Sequence, residues 1–335
     1  SLVGSEMCIR DRDESMDNEV LIYLWGNKAP SHLKGVSYSF YKKGQWFSKA
    51  QNQVLRPTGS QLEYQFFNKN KKTKIPSQKI MLQNHRDIQE VFFIPQNWNA
   101  IWVLGDSVKW NKNDYLIPYD RHTGIYYLGQ SKSHTNLPKP LPSDLQIPDQ
   151  IKKALYVFNE THNLSKNNLY PLQLKQVFQS KFTYTLTPPN TKGDPIDFFL
   201  NQSQKGYCEY FASASVLLLR NYDIPARLAK GFAYPTKVGT DGQWVYRRGS
   251  AHAWVEYWVE DRWNVLDPTP PLARPLISKT NWLESWMESM KFKFLRWQNI
   301  LFYGEWKLIL ESVKYWFQTN LYSILQKHLF VYRFS

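Results

Sequence analysis

Three residues of different chemical types follow one another in the order of a thiol catalytic site. Cys208 lies at the beginning of an apolar run, His252 lies in an alternating aromatic segment, and Asp267 closes the next such segment before a proline. A thiol that attacks a carbonyl group needs a base to take its proton and a third group to orient that base. The sequence therefore predicts acyl transfer, with Cys208 as nucleophile, His252 as base and Asp267 as orienting carboxylate.

Each of the three residues also has a structural explanation. A lone cysteine is often a small buried apolar residue. A strand histidine can be half-buried with satisfied hydrogen bonds, and an aspartate before Pro268 can cap a turn. These explanations would all have to hold at once, whereas a catalytic site accounts for residue type, order and placement together. We therefore prefer the catalytic interpretation.

The nucleophile is expected at the start of a buried helix. Residues 207–220 carry apolar side chains on two adjacent helical faces, which predicts a central helix buried on most sides. Free backbone N–H groups and the helix dipole favour a thiolate there, and with a protonated histidine nearby they lower a cysteine pKa from about 8.5 towards roughly 3.5–7.5. Gly206 allows a tight entry and close approach of a substrate, and the Cys208 N–H is a candidate oxyanion donor. Tyr207 begins one apolar face of this helix and is a supporting residue.

The base and the carboxylate are expected on a β-hairpin. Alternate side chains of a strand face the same way, so Trp254 shares the face of His252 and is a second supporting residue. If the turn centres on Val259-Glu260, His252 and Asp267 lie directly opposite each other. If it centres on Glu260-Asp261, they are diagonal neighbours on one face. Either register lets Asp267 accept a ring N–H and leaves the other ring nitrogen for sulfur.

Composition narrows the class of protein. The chain has 335 residues, 42% of them hydrophobic and 16% aromatic, and a net charge of +14, which indicate a well-packed core and a basic surface. Such a surface favours acidic partners, among them anionic lipid headgroups. The sequence has no zinc finger, aromatic RNA-binding motif or basic helix, so a nucleic-acid partner is not expected. It also has no run of 18 or more apolar residues, so no membrane-spanning helix is predicted.

The chain divides into five segments by composition. Residues 1–12 resemble a translated sequencing artefact and are set aside; they contain Cys8, so Cys208 is left without a disulfide partner. Residues 13–136 are rich in short β-branched and aromatic runs separated by turns, which predicts an antiparallel sandwich or barrel. Residues 137–148 form a proline-rich, semi-rigid connector.

The catalytic domain is expected at residues 149–272. After its central helix, four segments should form consecutive antiparallel strands. Residues 273–335 are amphipathic, aromatic and basic, and should form helices that either pack on the domain or lie on a membrane surface.

Four ordered motifs carry a resemblance to a known family. They are GYCEYFASASVLLLR, DIPARLAKGF, AHAWVEYW and LDPT, and DPIDFFL with FTYTLTPP extends the match upstream. They resemble the transglutaminase-like superfamily of papain-type thiol enzymes, and are most similar to bacterial membrane-anchored members with an extracytoplasmic catalytic domain. The resemblance implies an α+β fold in which the cysteine-bearing helix packs on an antiparallel sheet. It also implies Cys208 as nucleophile, His252 as general base and acid, and Asp267 as the carboxylate that orients it.

The resemblance further implies a substrate and a location. The substrate would be a protein or peptide, attacked at a glutamine side chain or a peptide amide, with an amine or water as acceptor and no cofactor or metal. The intact protein would be anchored in the membrane with this domain on the periplasmic side. Asp223 stands where the family usually has glycine, and Ser250 where an acidic residue is common. A cysteine peptidase or amidase of the same fold and a non-catalytic binding scaffold remain as alternatives.

Overall fold

The structure is a computed structural model that describes most of the chain between residues 18 and 271. The described residues are 18–48, 51–57, 59–61, 64–68, 78–82, 88, 90–96, 98, 100–104, 108–118, 125–129, 139–238, 242–271, 286–287, 289–290 and 293–294. The segment 1–12 and nearly all of 273–335 lie outside these residues, so the helices expected in 273–335 stay a prediction.

Short strands make up the described part of the N-terminal region and return later in the chain. In chain order they are β1 (Val20–Trp25), β2 (His32–Tyr38), β3 (Phe40–Lys42), β4 (Gln45–Phe47), β5 (Asn52–Leu55), β6 (Gly59–Gln61), β7 (Tyr64–Asn68), β8 (Gln78–Leu82), β9 (Ala100–Leu104), β10 (Val108–Asn111), β11 (Tyr115–Pro118), β12 (Ile125–Gly129), β13 (Thr183–Tyr184), β14 (Lys205–Gly206), β15 (Ala226–Ala233), β16 (Thr236–Val238), β17 (Gln243–Arg247), β18 (Ala251–Val259) and β19 (Arg262–Leu266).

The α-helices between residues 139 and 271, a range described almost completely, follow the proline-rich segment. They are α1 (Asp149–Thr161), α2 (Tyr170–Lys181), α3 (Pro195–Phe198) and α4 (Cys208–Asn221), and a π-helical turn over Phe199–Ser203 extends α3. Most of α4 is buried, as its apolar faces predict, and the helix ends where Asp223 adopts a left-handed backbone with φ of 60°. A short polar side chain tolerates that conformation better than most residues do.

A four-stranded sheet with the order β19-β18-β15-β2 supports α4. One face of this sheet contributes Leu228, Ala253 and Val255 to a core shared with the helices. The same sheet contributes Leu33 and Phe232 to a second core, which it shares with the N-terminal strands. The α+β class with a cysteine-bearing helix packed on an antiparallel sheet is therefore confirmed.

The four segments expected as consecutive antiparallel strands after α4 are all antiparallel strands, but they do not all belong to one sheet. β17 leaves the sheet of β15, β18 and β19 and instead joins an eight-stranded sheet with the order β16-β17-β1-β8-β12-β9-β7-β6. In exchange β2, from the N-terminal region, pairs with β15. Pairing between distant strands leaves no local sequence signal, because alternation along a strand marks its faces but not its neighbour.

The two sheets thus exchange strands across the proline-rich connector. The described part of the connector is itself packed: Pro142–Leu145 form a 3-10 turn, and the buried Arg220 of α4 donates a hydrogen bond of 2.8 Å to the carbonyl oxygen of Gln146. Within the described residues, no helix combines the length and the apolar composition needed to cross a bilayer.

Candidate active site

Cys208 is the first residue of α4 and is buried with a free thiol. Tyr207 precedes it in an extended conformation as the N-terminal cap, and Gly206 lies on β14, which pairs in parallel with β13. A side-chain carbon on Gly206 would lie 2.7 Å from the Cβ atom of Tyr210, closer than atoms pack. Glycine therefore lets the first turn of α4 pack directly on β14, which sets the position of the thiol.

The hairpin that carries the other two residues has the second of the two expected registers. Val255 pairs with Leu266 and Val259 with Arg262, so the turn is Glu260-Asp261. Both turn residues have φ of 56°, which matches the left-handed backbone of a two-residue hairpin turn. The register centred on Val259-Glu260 is wrong, and Asp267 lies one residue beyond β19, diagonal to His252.

The three predicted residues meet at the end of the four-stranded sheet. The ring Nε2 of His252 lies 3.0 Å from Oδ2 of Asp267. The thiol of Cys208 forms a hydrogen bond with His252, for which Nδ1 is the remaining ring nitrogen. The side chains of His252 and Asp267 are 9% and 13% exposed, so a small opening to solvent remains.

The electrostatic environment of His252 and Asp267 favours the charged form of both side chains. Burial by itself lowers the pKa of His252, but the Asp267 carboxylate and then the Cys208 thiol outweigh it and raise that pKa to about 10. Burial raises the pKa of Asp267, yet the charge and hydrogen bond of His252, with further help from Tyr234, hold it well below its ordinary value. A protonated imidazole beside an ionised carboxylate is thus the stable form at neutral pH.

Tyr234 is one residue of this site that sequence reasoning missed. It follows β15 with φ of 54°, a left-handed conformation that is unusual for an aromatic residue, and its N–H donates to the carbonyl oxygen of Ser31. Its hydroxyl donates a hydrogen bond to Oδ2 of Asp267. No spacing rule singles out this tyrosine among the 21 in the chain.

His32 is the other missed residue, and it comes from the N-terminal region. As the first residue of β2 it pairs with Ala233, which brings its ring to 4.8 Å from that of Trp254 and 6.2 Å from that of His252, measured between centroids. Its Nε2 lies 4.0 Å from Oδ2 of Asp267 and has no hydrogen-bond partner, while Nδ1 lies 3.1 Å from the hydroxyl of Ser31. Burial, and then the charge of His252, lower its pKa to about 4.

A cluster of buried charged side chains lies on β18 further along the face that carries His252 and Trp254. Glu256 accepts hydrogen bonds from Nζ of Lys34 at 2.9 Å and from Nε of Arg227 at 2.7 Å, and Asp114 lies 3.4 Å from the same lysine. All four side chains are at most 1% exposed. The cluster links β2, β15 and β18 to the turn between β10 and β11, where Asp114 lies. Glu256 is the next residue after Trp254 on the same face of β18, so the cluster supports the site structurally.

Comparisons with known proteins agree on the family of this region. Residues 159–268 match the family model described as "Transglutaminase-like superfamily". The chain is similar to a protein-glutamine gamma-glutamyltransferase of Pseudomonas aeruginosa, with 37% identity over 101 residues, which is 30% of this chain and 15% of that protein. It is also similar to the uncharacterized protein YebA of Bacillus subtilis, with 25% identity over 209 residues, 60% of this chain and 28% of that protein. The chain thus spans less than a third of the length of either relative.

A solved structure shares the fold. The periplasmic domain of TgpA from Pseudomonas aeruginosa, bound to ethylmercury, superimposes with a TM-score of 0.56 at 20% sequence identity. The match covers 78% of this chain and 92% of that domain, so it includes the N-terminal strands as well as the helices.

Proposed function

We propose that the chain, whose residues 159–268 match the family model of the transglutaminase-like superfamily, is a thiol enzyme that transfers acyl groups from protein or peptide carboxamides. The observation that carries this proposal is the position of His252 between the thiol of Cys208 and the carboxylate of Asp267. A structural cysteine needs no imidazole beside it, and a structural imidazole needs no buried carboxylate on its second nitrogen. The combination is what nucleophilic catalysis by sulfur requires.

The first half of the proposed reaction forms a thioester. The Cys208 sulfur, its proton held by His252, attacks the carbonyl carbon of a glutamine side chain. The oxygen of the tetrahedral intermediate lies near the first turn of α4, where the Cys208 N–H can donate to it. His252 then returns the proton to the departing nitrogen, and ammonia leaves.

The second half transfers the acyl group to an acceptor. A primary amine attacks the thioester, His252 takes the proton of that amine, and the sulfur leaves as the thiolate. The product is an isopeptide bond, as made by a protein-glutamine gamma-glutamyltransferase. Water in place of the amine gives a carboxylate, and the enzyme is then an amidase or peptidase, so the acceptor decides between the two outcomes.

The test combines thiol labelling with product analysis. In a Cys8→Ser background, iodoacetamide should alkylate Cys208 faster at neutral pH than it alkylates a model thiol, and His252→Asn should remove that advantage. With a glutamine-containing protein and a fluorescent primary amine, the background protein should release ammonia and attach the amine, and Cys208→Ala should do neither.

The products separate the alternatives. Ammonia released without amine attachment indicates an amidase, and a new amino terminus indicates a peptidase. Ordinary labelling of Cys208, with no product of any kind, would mean that the domain is a binding scaffold and would contradict the proposal.

We also propose that the domain works outside the cytoplasmic membrane, attached to it in the intact protein. The likeness to a periplasmic domain over 78% of the chain and the net charge of +14 support this location, since anionic headgroups attract a basic surface. Fusions of the intact gene to alkaline phosphatase, which is active only in the periplasm, provide the test. Activity of a cytoplasmic reporter fused at the same position would contradict it.

A further inference from the structure

His32 has chemical capacity that the proposed reaction leaves unused. Its side chain is 14% exposed, and its Nε2 faces Asp267 without a hydrogen-bond partner. In the tautomer that donates its Nδ1 proton to the hydroxyl of Ser31, Nε2 carries a free lone pair. A buried lone pair that faces a carboxylate needs a proton or a cation between the two groups.

The groups around Nε2 of His32 are of the types that bind metal ions. One ligand atom each from His32, His252 and Asp267 lies within 4.8 Å of the other two. Two imidazole nitrogens and one carboxylate oxygen are a donor set suited to zinc and similar divalent transition metals. Calcium and magnesium prefer oxygen ligands and are a poor match.

The distances between these atoms are close to those between the ligand atoms of a bound zinc ion. Ligand atoms of a tetrahedral zinc site with bonds of about 2.0–2.2 Å stand roughly 3.3–3.6 Å apart. Here Oδ2 of Asp267 lies 3.0 Å from Nε2 of His252 and 4.0 Å from Nε2 of His32. One distance is shorter and the other longer than the ideal, so side-chain rotations of His32 and Asp267 would bring both into range.

We propose that His32, His252 and Asp267 bind a zinc ion that holds the enzyme in an inactive state. The ion takes the place of the proton between His252 and Asp267, and that proton goes to solvent. His252 is then a metal ligand, its hydrogen bond with Asp267 is lost, and it cannot exchange protons with the thiol. Cys208 takes no part in the binding, because its Sγ does not belong to the group of ligand atoms that lie within 4.8 Å of one another.

Because zinc also binds free thiols, the test measures binding in protein that lacks both cysteines. Full-length Cys8→Ser, Cys208→Ala protein, titrated with zinc chloride against a chromophoric chelator, should bind one zinc ion per chain. Adding His32→Phe, which keeps a ring against Trp254, should weaken binding by at least about 100-fold, since even indirect partners of metal ligands are worth 10–100-fold. His162→Phe, at a half-buried histidine packed against Phe158, is the matched control and should leave zinc affinity unchanged.

Two further measurements keep the inference open to refutation. If His32→Phe does not fold, as judged by circular dichroism, His32→Gln replaces it with the same expected loss. Cobalt bound to protein that retains Cys208 should give visible absorption without a thiolate-to-cobalt charge-transfer band. Loss of zinc binding on Cys208→Ala alone, a thiolate band with cobalt, or equal affinity with and without His32 would each overturn the proposal. Because binding is measured in catalytically dead protein, the result does not depend on the proposed reaction.

Discussion

Asp267 accepts hydrogen bonds from three separate parts of the chain. Its Oδ2 faces the ring of His252 and the hydroxyl of Tyr234, and its Oδ1 accepts from the N–H of Thr269 at 3.1 Å. A carboxylate held on both oxygens has one orientation, which it imposes on the imidazole. The left-handed backbone of Tyr234 is an unfavourable conformation for a tyrosine. Such strain is kept where it positions a functional group, and here it positions the hydroxyl that binds Asp267.

Tyr234→Phe should therefore slow the reaction without unfolding the protein. A hydrogen bond to a charged group is worth about 1.5–3 kcal/mol, and 1.4 kcal/mol corresponds to a factor of ten in rate, so kcat should fall about tenfold or more. Alkylation of Cys208 by iodoacetamide should slow with it. Tyr156→Phe, at an exposed tyrosine on α1, is the control. Full activity of Tyr234→Phe would show that Thr269 and His252 suffice to orient the carboxylate.

Asp144 provides a pH-dependent prediction away from the site. Its carboxylate accepts the N–H of Leu141, but burial raises its pKa above the ordinary value in spite of Arg227 and Arg220. The folded state therefore prefers the neutral acid, so its contribution to stability is greatest below pH 3.8 and is lost as pH rises through the folded pKa.

Asp144→Asn should lack this loss. The free energy of unfolding of the variant, relative to the unaltered protein, should increase as pH rises from about 3.8, as urea titrations at a series of pH values would measure. Asp149→Asn, at an exposed carboxylate whose pKa is lowered by Lys152, should show no such increase. A flat difference for Asp144→Asn would mean that folding does not raise the pKa of its carboxyl group.

At the residue level the sequence predicts what local order can encode. Cys208, His252 and Asp267 could be named because each stands at a recognisable position on a predicted helix or strand. His32 and Tyr234 could not, because their roles arise from the pairing of β2 with β15.

At the level of elements, β15 is the centre of the site. On one side its Gly231 pairs with His252, and on the other side the same residue lies against β2 at a register shift. A side-chain carbon on Gly231 would lie 2.0 Å from the carbonyl oxygen of Leu33, a backbone atom that cannot move alone. The absence of a side chain here is what allows β2 to bring His32 up to the carboxylate.

Gly231→Ala should separate β2 from β15. The clash is with backbone on a paired strand, so we expect a loss of about 3 kcal/mol or more in the free energy of unfolding, measured with urea. Gly193→Ala, where the nearest atom would be 3.8 Å away, is the control and should change stability little. A loss below about 1 kcal/mol for Gly231→Ala would mean that the β2–β15 pairing can shift without cost.

The positions of the helices and strands were predicted more completely than the pairing between the strands. The sequence placed the central helix at 207–220, and the structure has it at Cys208–Asn221. It left two hairpin registers open because Glu260 and Asp261 are not the Asn-Gly or Asp-Gly pair that marks a turn. It could not show that β17 pairs with β1, since strand order depends on contacts between distant parts of the chain.

At the scale of the whole molecule, the two halves of the chain share their sheets. β2 completes the sheet under α4, while β16 and β17 complete the sheet of the N-terminal region. The proposed boundary at 137–148 therefore separates the chain by composition but does not separate the hydrogen-bonded sheets. The buried cluster of Lys34, Arg227, Glu256 and Asp114 crosses the same division.

A fragment that starts at residue 139 should accordingly fail to fold on its own. It would expose the edge of β15, leave Glu256 without Lys34, and uncover the face that packs on Leu33. We expect no cooperative unfolding transition with urea and strong binding of a hydrophobic dye, with the full chain as reference. A cooperative transition with fast alkylation of Cys208 would show that the second half is an independent domain.

The exchange of β2 also has a consequence for the newly made chain. His32 and its partner Ala233 are 201 positions apart in the sequence, so the pairing of β2 with β15 closes a long loop and should form late in folding. Until the ribosome has passed Asp267, Cys208 cannot have both the imidazole of His252 and the carboxylate beside it and should react like any other thiol. The order of synthesis should thereby delay the appearance of a reactive sulfur until the strand that leads to Asp267 has been made.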